Sequence, residues 1–177
     1  FKAGQFVCNS IRPEDWQAVE NLAREDRRVV PFFGVHPWYA GKVPEDWYVM
    51  LEAILKKNPD AGVGEVGLDK ACQVDFARQT EVFHRHIELA GRLSRPLAIH
   101  CVRAWSALLG VLKRSLPAQT RFMIHSYQGS EETLRNLLSL GAYISFSWKS
   151  LQRDTEESIA LMRNVPLDRL LLETDFP

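Results

Sequence analysis

The stretch AGVGEVGLD, residues 61–69, is apolar and glycine-rich, with a carboxylate, Glu65, in its middle. It lacks a clean alternation of apolar and polar side chains, the pattern of a strand covered on both faces of a parallel sheet. Its glycines precede no helix start of the right kind, so they are not a nucleotide-binding fingerprint. A Glu inside such a strand needs a buried partner, because an unpaired charge there is costly.

On either side of this run lie others of the same kind: QFVCNS (5–10), VVPFFGVHP (29–37), PLAIHC (96–101), RFMIHS (121–126), AYISFS (142–147) and RLLLETD (169–175). Segments of helical period separate them. Pro13 opens the first, with Trp16, Val19, Leu22 and Ala23 on one face. Pro44 opens the second, where Trp47, Met50, Leu51, Ile54 and Leu55 form the stripe. The third carries Val82, Phe83, His86, Ile87, Ala90 and Leu93, and the fourth Trp105, Leu108, Leu109 and Leu112. Ser130 is the expected N-cap of a fifth, with Glu131 and Glu132 in its first turn and Gly141 after its end. Asp154 is the expected cap of a sixth, containing Ile159 and Met162. Strands alternating with helices predict right-handed βαβ units, a parallel sheet and the α/β class. Seven strand segments are one short of a (β/α)8 TIM barrel. No linker or repeat interrupts residues 1–177, which are expected to form a single, partial barrel domain.

The 22 basic and 22 acidic residues cancel, so bulk charge gives no pull toward nucleic acid or an anionic membrane. A phosphate substrate is still compatible, because a bound divalent cation would be the largest local charge in such a site. Cys8, Cys72 and Cys101 are odd in number and form no CxxC pair. They are expected to be reduced thiols in a cytoplasmic protein. No run approaches the length of a membrane span, and the residues from Phe1 onward are not expected to act as a signal peptide.

In a barrel the C-terminal ends of the strands meet on one rim. His36 in GVHP, Glu65 in GEVGLD, His100 in AIHC, His125 in MIHS and Asp175 in ETD all fall at or just past such ends. Two imidazoles and two carboxylates, from Glu65, His100, His125 and Asp175, suit Zn, Mn or Fe, and with more waters Mg. A bridging Glu65 would hold two divalent ions about 3.5–4 Å apart, as phosphoester hydrolysis often uses. Taken alone, each residue has a plainer role: a His at a strand end is ordinarily hydrogen-bonded, and Asp175 before Phe176-Pro177 suits a turn. The repeated placement favours a metal site. HRH at 84–86 lies in a helical pattern, where residues i and i+2 point to nearly opposite sides and cannot share an ion. His86 is therefore expected to be packed and His84 exposed. The five tryptophans fall mostly on helix stripes, so packing rather than base stacking is their default role.

GVHP, GEVGLD, IHC followed by Arg103-Ala104, IHSYQGS and LLLETDFP, in this order, closely resemble the TatD family of metal-dependent deoxyribonucleases, barrels of the amidohydrolase superfamily. The resemblance implies that Glu65 is the bridging carboxylate on the fourth barrel strand. It makes His100 and His125 ligands on the fifth and sixth strands, and Asp175 a ligand on the eighth. His36 would stand on the substrate side, near a phosphate. The implied activity is cleavage of DNA phosphodiesters, as a 3′ exonuclease on single-stranded DNA, with two divalent ions (Mg, Mn or Zn). Glu65 and Asp175 would be catalytic, with Asp175 as general base, and His36, Arg103 and Lys70 would bind the substrate.

The family begins with a strand bearing an HxH pair and continues past ETDFP. Here the chain opens at what reads as the second strand. Val102 stands where an arginine is common, with Arg103 following, and Lys70 stands where an aromatic is frequent. Alternative readings keep the metal but change the bond to another ester or an amide, or make the chain an inactive barrel fragment. No membrane and no obligate protein partner is implied.

Overall fold

The computed structural model describes residues 4–148, 152 and 155–174. The expected cap Asp154 and the expected ligand Asp175 lie outside them. Strands β1 (Phe6–Asn9), β2 (Val29–Phe33), β3 (Gly62–Asp69), β4 (Leu97–Val102), β5 (Phe122–Ile124), β6 (Tyr143–Ser147) and β7 (Leu170–Glu173) form one sheet in sequence order. Every neighbouring pair is parallel. Between them run helices α1 (Trp16–Glu25), α2 (Trp47–Lys57), α3 (Phe76–Arg92), α4 (Trp105–Ser115), α5 (Glu131–Ser139) and α6 (Thr155–Arg163). These are seven strands of a (β/α)8-type barrel. The edge strands β1 and β7 carry exposed apolar side chains, among them Phe6, Val7 and Leu172. No described helix is long and apolar enough to cross a membrane.

Every residue of β3 is buried, as the unbroken apolar run predicts. Among the helices, α1 packs on β2, α3 on β3 and α4 on β4. The stripes of these helices feed the core: Trp16 and Val19 from α1, Trp47, Leu51 and Leu55 from α2, Val82, Phe83, Ile87 and Ala90 from α3, Leu108 and Leu112 from α4. Ser130 caps α5 through its side chain, which accepts the Thr133 N–H, and Gly141 follows with φ +87°.

The periodicity misassigns a few positions. Pro13 opens a 3-10 turn, Pro13–Asp15, and α1 proper starts at Trp16. Leu22 and Met50 are exposed, whereas Glu20 is buried. Glu20 is held by Lys57 Nζ at 2.9 Å and Asn58 Nδ2 at 2.8 Å, donors from the end of α2. His84 is half-buried rather than exposed. Two tryptophans, Trp38 and Trp148, are exposed on no packed stripe.

His86 is packed, as expected, and does structural work. Its Nε2 accepts the Val35 N–H at 3.2 Å, so Nδ1 carries the proton and donates to the Val82 carbonyl at 2.7 Å. The ring thereby ties α3 to the segment that leads into His36. Burial pushes its pKa down to about 4. The unfolded chain takes up a proton below about 6.5, and the folded state resists it until about 4, so stability present at neutral pH is lost across that window as pH falls. The linkage amounts to roughly 3 kcal/mol by pH 4. His86→Gln is expected to be less stable than the parent at pH 7, with the gap narrowing toward pH 4.5 when urea midpoints are compared. A gap that stays constant with pH would contradict a neutral, buried ring.

Candidate metal centre

Four residues of β3, from Val63 to Val66, span the same length as three of β4, from Leu97 to Ile99, so the register shifts at Gly64-Glu65. Such a bulge re-aims a side chain that regular pleating would send elsewhere. Ser10, just past β1, clamps the bulge. Its carbonyl accepts the Glu65 N–H at 2.8 Å, and its Oγ accepts the Gly34 N–H at 3.1 Å. Beyond the bulge, Gly67 pairs with His100 at φ +145°, a conformation that needs glycine.

The side chains then converge on one atom. Glu65 Oε1 lies 3.0 Å from His100 Nδ1, 3.5 Å from His36 Nε2 and 3.6 Å from His125 Nε2. Ligand atoms of His36, Glu65 and His100 all lie within 4.8 Å of one another, close enough to share an ion. Burial pushes the Glu65 carboxyl up, but hydrogen bonds from His100 and His36 outweigh it and hold the group well below the usual carboxylate range. Glu65 is an anion.

The three imidazoles differ in what fixes them. His36 follows β2, with its N–H on the Ile11 carbonyl at 2.8 Å, and caps the short turn Pro37–Tyr39. Its Nδ1 accepts the Trp38 N–H at 3.3 Å, so the neutral ring bears its proton on Nε2 and donates toward Glu65. Burial holds its pKa below the ordinary imidazole value. His36 is thus oriented as a donor. His125, directly after β5, faces Glu65 with Nε2 while its Nδ1 lies 2.9 Å from Glu173 Oε2. A carboxylate on Nδ1 holds the proton there and turns the Nε2 lone pair toward the cluster. His100 on β4 lies between Glu65 on Nδ1 and Asp69 Oδ2, 3.4 Å away, on Nε2.

Asp69 and Glu173 escaped the sequence reading although both sit inside its motifs, GEVGLD and LLLETD. Being next to strand-end residues already singled out, they carried no signal of their own. Only the fold shows which imidazole each one faces. Asp69 Oδ2 also accepts the Trp38 indole N–H at 2.6 Å, and Oδ1 accepts the Ala71 N–H at 2.7 Å. Burial raises its pKa, and these donors with His100 bring it net below the usual carboxylate value. Glu173 accepts from Ser145 Oγ as well as His125, and its Oε1 is buried without a partner among the described residues. The expected substrate residues lie on the same rim. Lys70 is exposed, with Nζ 5.2 Å above the Phe76 ring. Arg103 is exposed, with a left-handed φ of 53°.

Glu65, Asp69 and Glu173 bring three carboxylates to the cluster, and Glu173 Oε1 is buried with no hydrogen-bond partner among the described residues. Carboxylate oxygen and imidazole nitrogen in this proportion suit a borderline divalent cation. The residues fit one.

Parallel strands with alternating helices, and a His/Glu cluster at the C-terminal rim, are the marks of a metal-binding barrel of the hydrolase type. The family described as "TatD related DNase" matches residues 2–177, and the chain belongs to that family. It is 32% identical to the "Deoxyribonuclease Tat-D" of Schizosaccharomyces pombe, over 93% of this chain and 56% of that protein. It is also 32% identical to the "3'-5' ssDNA/RNA exonuclease TatD" of Erwinia tasmaniensis, over 99% of this chain and 68% of that protein. The chain thus spans little more than half the length of the first of these relatives. Among solved structures, the TatD homologue YJJV of Escherichia coli K12 superposes with a TM-score of 0.89 at 27% identity, covering 98% of this chain and 68% of that one. The Entamoeba histolytica TatD family hydrolase, at 24% identity and a TM-score of 0.87, shares the fold.

Proposed function

We propose that the protein hydrolyses phosphodiester bonds of single-stranded nucleic acid, DNA in the first place, as a 3′ exonuclease dependent on divalent metal. The observation that carries this reading is the convergence of His36, His100 and His125 on one oxygen of the buried Glu65. The Erwinia relative, named as a single-stranded DNA and RNA exonuclease, supports the substrate class.

Glu65, His100 and His125 would hold the cation, with Asp175 joining them, and Glu65 would be shared between two divalent ions (Mg, Mn or Zn). Bound there, such an ion supplies Lewis acidity toward a phosphoryl oxygen and acidifies the attacking water. The remaining roles belong to the chain. His36 presents an Nε2–H that is available to a phosphate oxygen once Glu65 turns to the cation. Asp69 and Glu173 hold the His100 and His125 rings in orientation, as carboxylates behind ligating histidines do. Asp175 takes the proton of the attacking water, and Lys70 and Arg103 offset the phosphate charge from the rim. The three free cysteines suit a reducing compartment, the cytoplasm.

The test is a substrate panel on the intact protein. Chelation is expected to abolish cleavage of single-stranded DNA, and Mg, Mn or Zn to restore it, with small amides and lactones turned over poorly. Preference for an amide or lactone would reassign the bond; cleavage that survives chelation would overturn the metal reading.

A further inference from the structure

Trp38 is 53% exposed, yet its polar edge is fixed. The indole N–H sits on Asp69 Oδ2 at 2.6 Å, and the same oxygen lies 3.4 Å from His100 Nε2. The indole meets the His36 ring edge to face, with centroids 4.8 Å apart. An indole placed for packing buries its faces and lets its N–H find a partner wherever it can. Here the reverse holds: the N–H is spent on the carboxylate behind a histidine of the cluster, and the apolar body is left to water. A chain of contacts, Trp38 to Asp69 to His100 to Glu65, sets that open ring at a fixed offset from the metal centre.

We infer that Trp38 is the stacking platform for the nucleobase adjoining the scissile phosphodiester. The inference rests on the nucleic-acid reading above and adds the group that binds the base. Every base presents a π-face, so stacking holds single strands without selecting sequence, whereas a base inside a duplex is already stacked. The platform therefore favours unpaired ends, and a side chain anchored through its N–H loses little freedom when a base arrives.

The experiment compares binding of two labelled single strands of equal length, one natural and one abasic at its 3′-terminal nucleotides, by fluorescence anisotropy in calcium. Strand integrity is checked on a gel. The parent is expected to prefer the natural strand by about 5- to 100-fold. Trp38→Phe, which keeps an aromatic face but not the anchor, should retain most of that preference. Trp38→Leu and Trp38→Gln should abolish it, while their unfolding midpoints stay near the parent's, as befits an exposed side chain. Unchanged discrimination in both non-aromatic variants overturns the inference even if the protein degrades DNA. Discrimination that depends on Trp38 in a protein that cleaves no DNA upholds the platform and sinks the reaction instead. Equal binding of the two strands by the parent overturns the platform outright.

Discussion

Glu65→Gln is expected to lower the turnover of single-stranded DNA by roughly a thousand-fold or more, with loss of bound metal and little change in fold. The substitution keeps the volume and one acceptor oxygen but removes the charge on which three imidazoles converge. A neutral amide is a poor ligand for a divalent cation, and its NH2 group could not accept the hydrogen bond that His36 Nε2–H offers. Stability should fall as well, because the hydrogen bonds that hold the Glu65 carboxyl below its usual range outweigh its desolvation cost and are weakened in the neutral amide. Metal content, circular dichroism and single-strand cleavage, measured on one preparation, separate these effects. A metal-loaded, active Glu65→Gln protein would remove the carboxylate from the mechanism.

Gly67→Ala is expected to be among the most damaging single-methyl changes in the chain, at about 4 kcal/mol or more. An added Cβ would stand 2.0 Å from the His100 carbonyl oxygen, a backbone atom that no rotamer change can move aside. At φ +145° an L side chain is strained whatever space surrounds it. Relief requires β3 and β4 to separate at the point where His100 is held, so cation affinity should fall together with stability. Gly41→Ala is the matched control. Its added methyl would meet only Val74 Cγ1 at 3.6 Å, and its urea midpoint should stay close to the parent's. If the two variants unfold at the same denaturant concentration, β3 and β4 do not approach as closely as described.

Much of this architecture is legible along the chain, because period and polarity are local properties. Each of the seven apolar runs contains a strand, and the stripe from Val82 to Ala90 faces the core as written. Errors arise where the deciding neighbour is remote in sequence. Glu20 is a charged residue off the apolar stripe of α1, yet Lys57 and Asn58 arrive from the end of α2 to pair with it, and it is buried. VVPFFGVHP reads as one strand, but β2 ends at Phe33, and His36 is delivered by a turn tied to Ile11 and, through Val35, to His86.

The centre divides in the same way. Glu65 betrays itself in one dimension, because a lone carboxylate in a glycine-rich apolar strand demands a partner. His100 and His125 do so by recurring at strand ends. Asp69, Glu173 and Trp38 do not, since a carboxylate or an indole near a turn is unremarkable until its neighbour is known. The order of elements, the parallel sheet and the identity of the central acid were thus already written in the residues, whose burial preference and spacing act locally. The bulge that aims Glu65, the proton positions of His36 and His125 and the pairing of Asp69 with Trp38 came from packing alone. They depend on atoms that meet only when strands distant along the chain lie side by side.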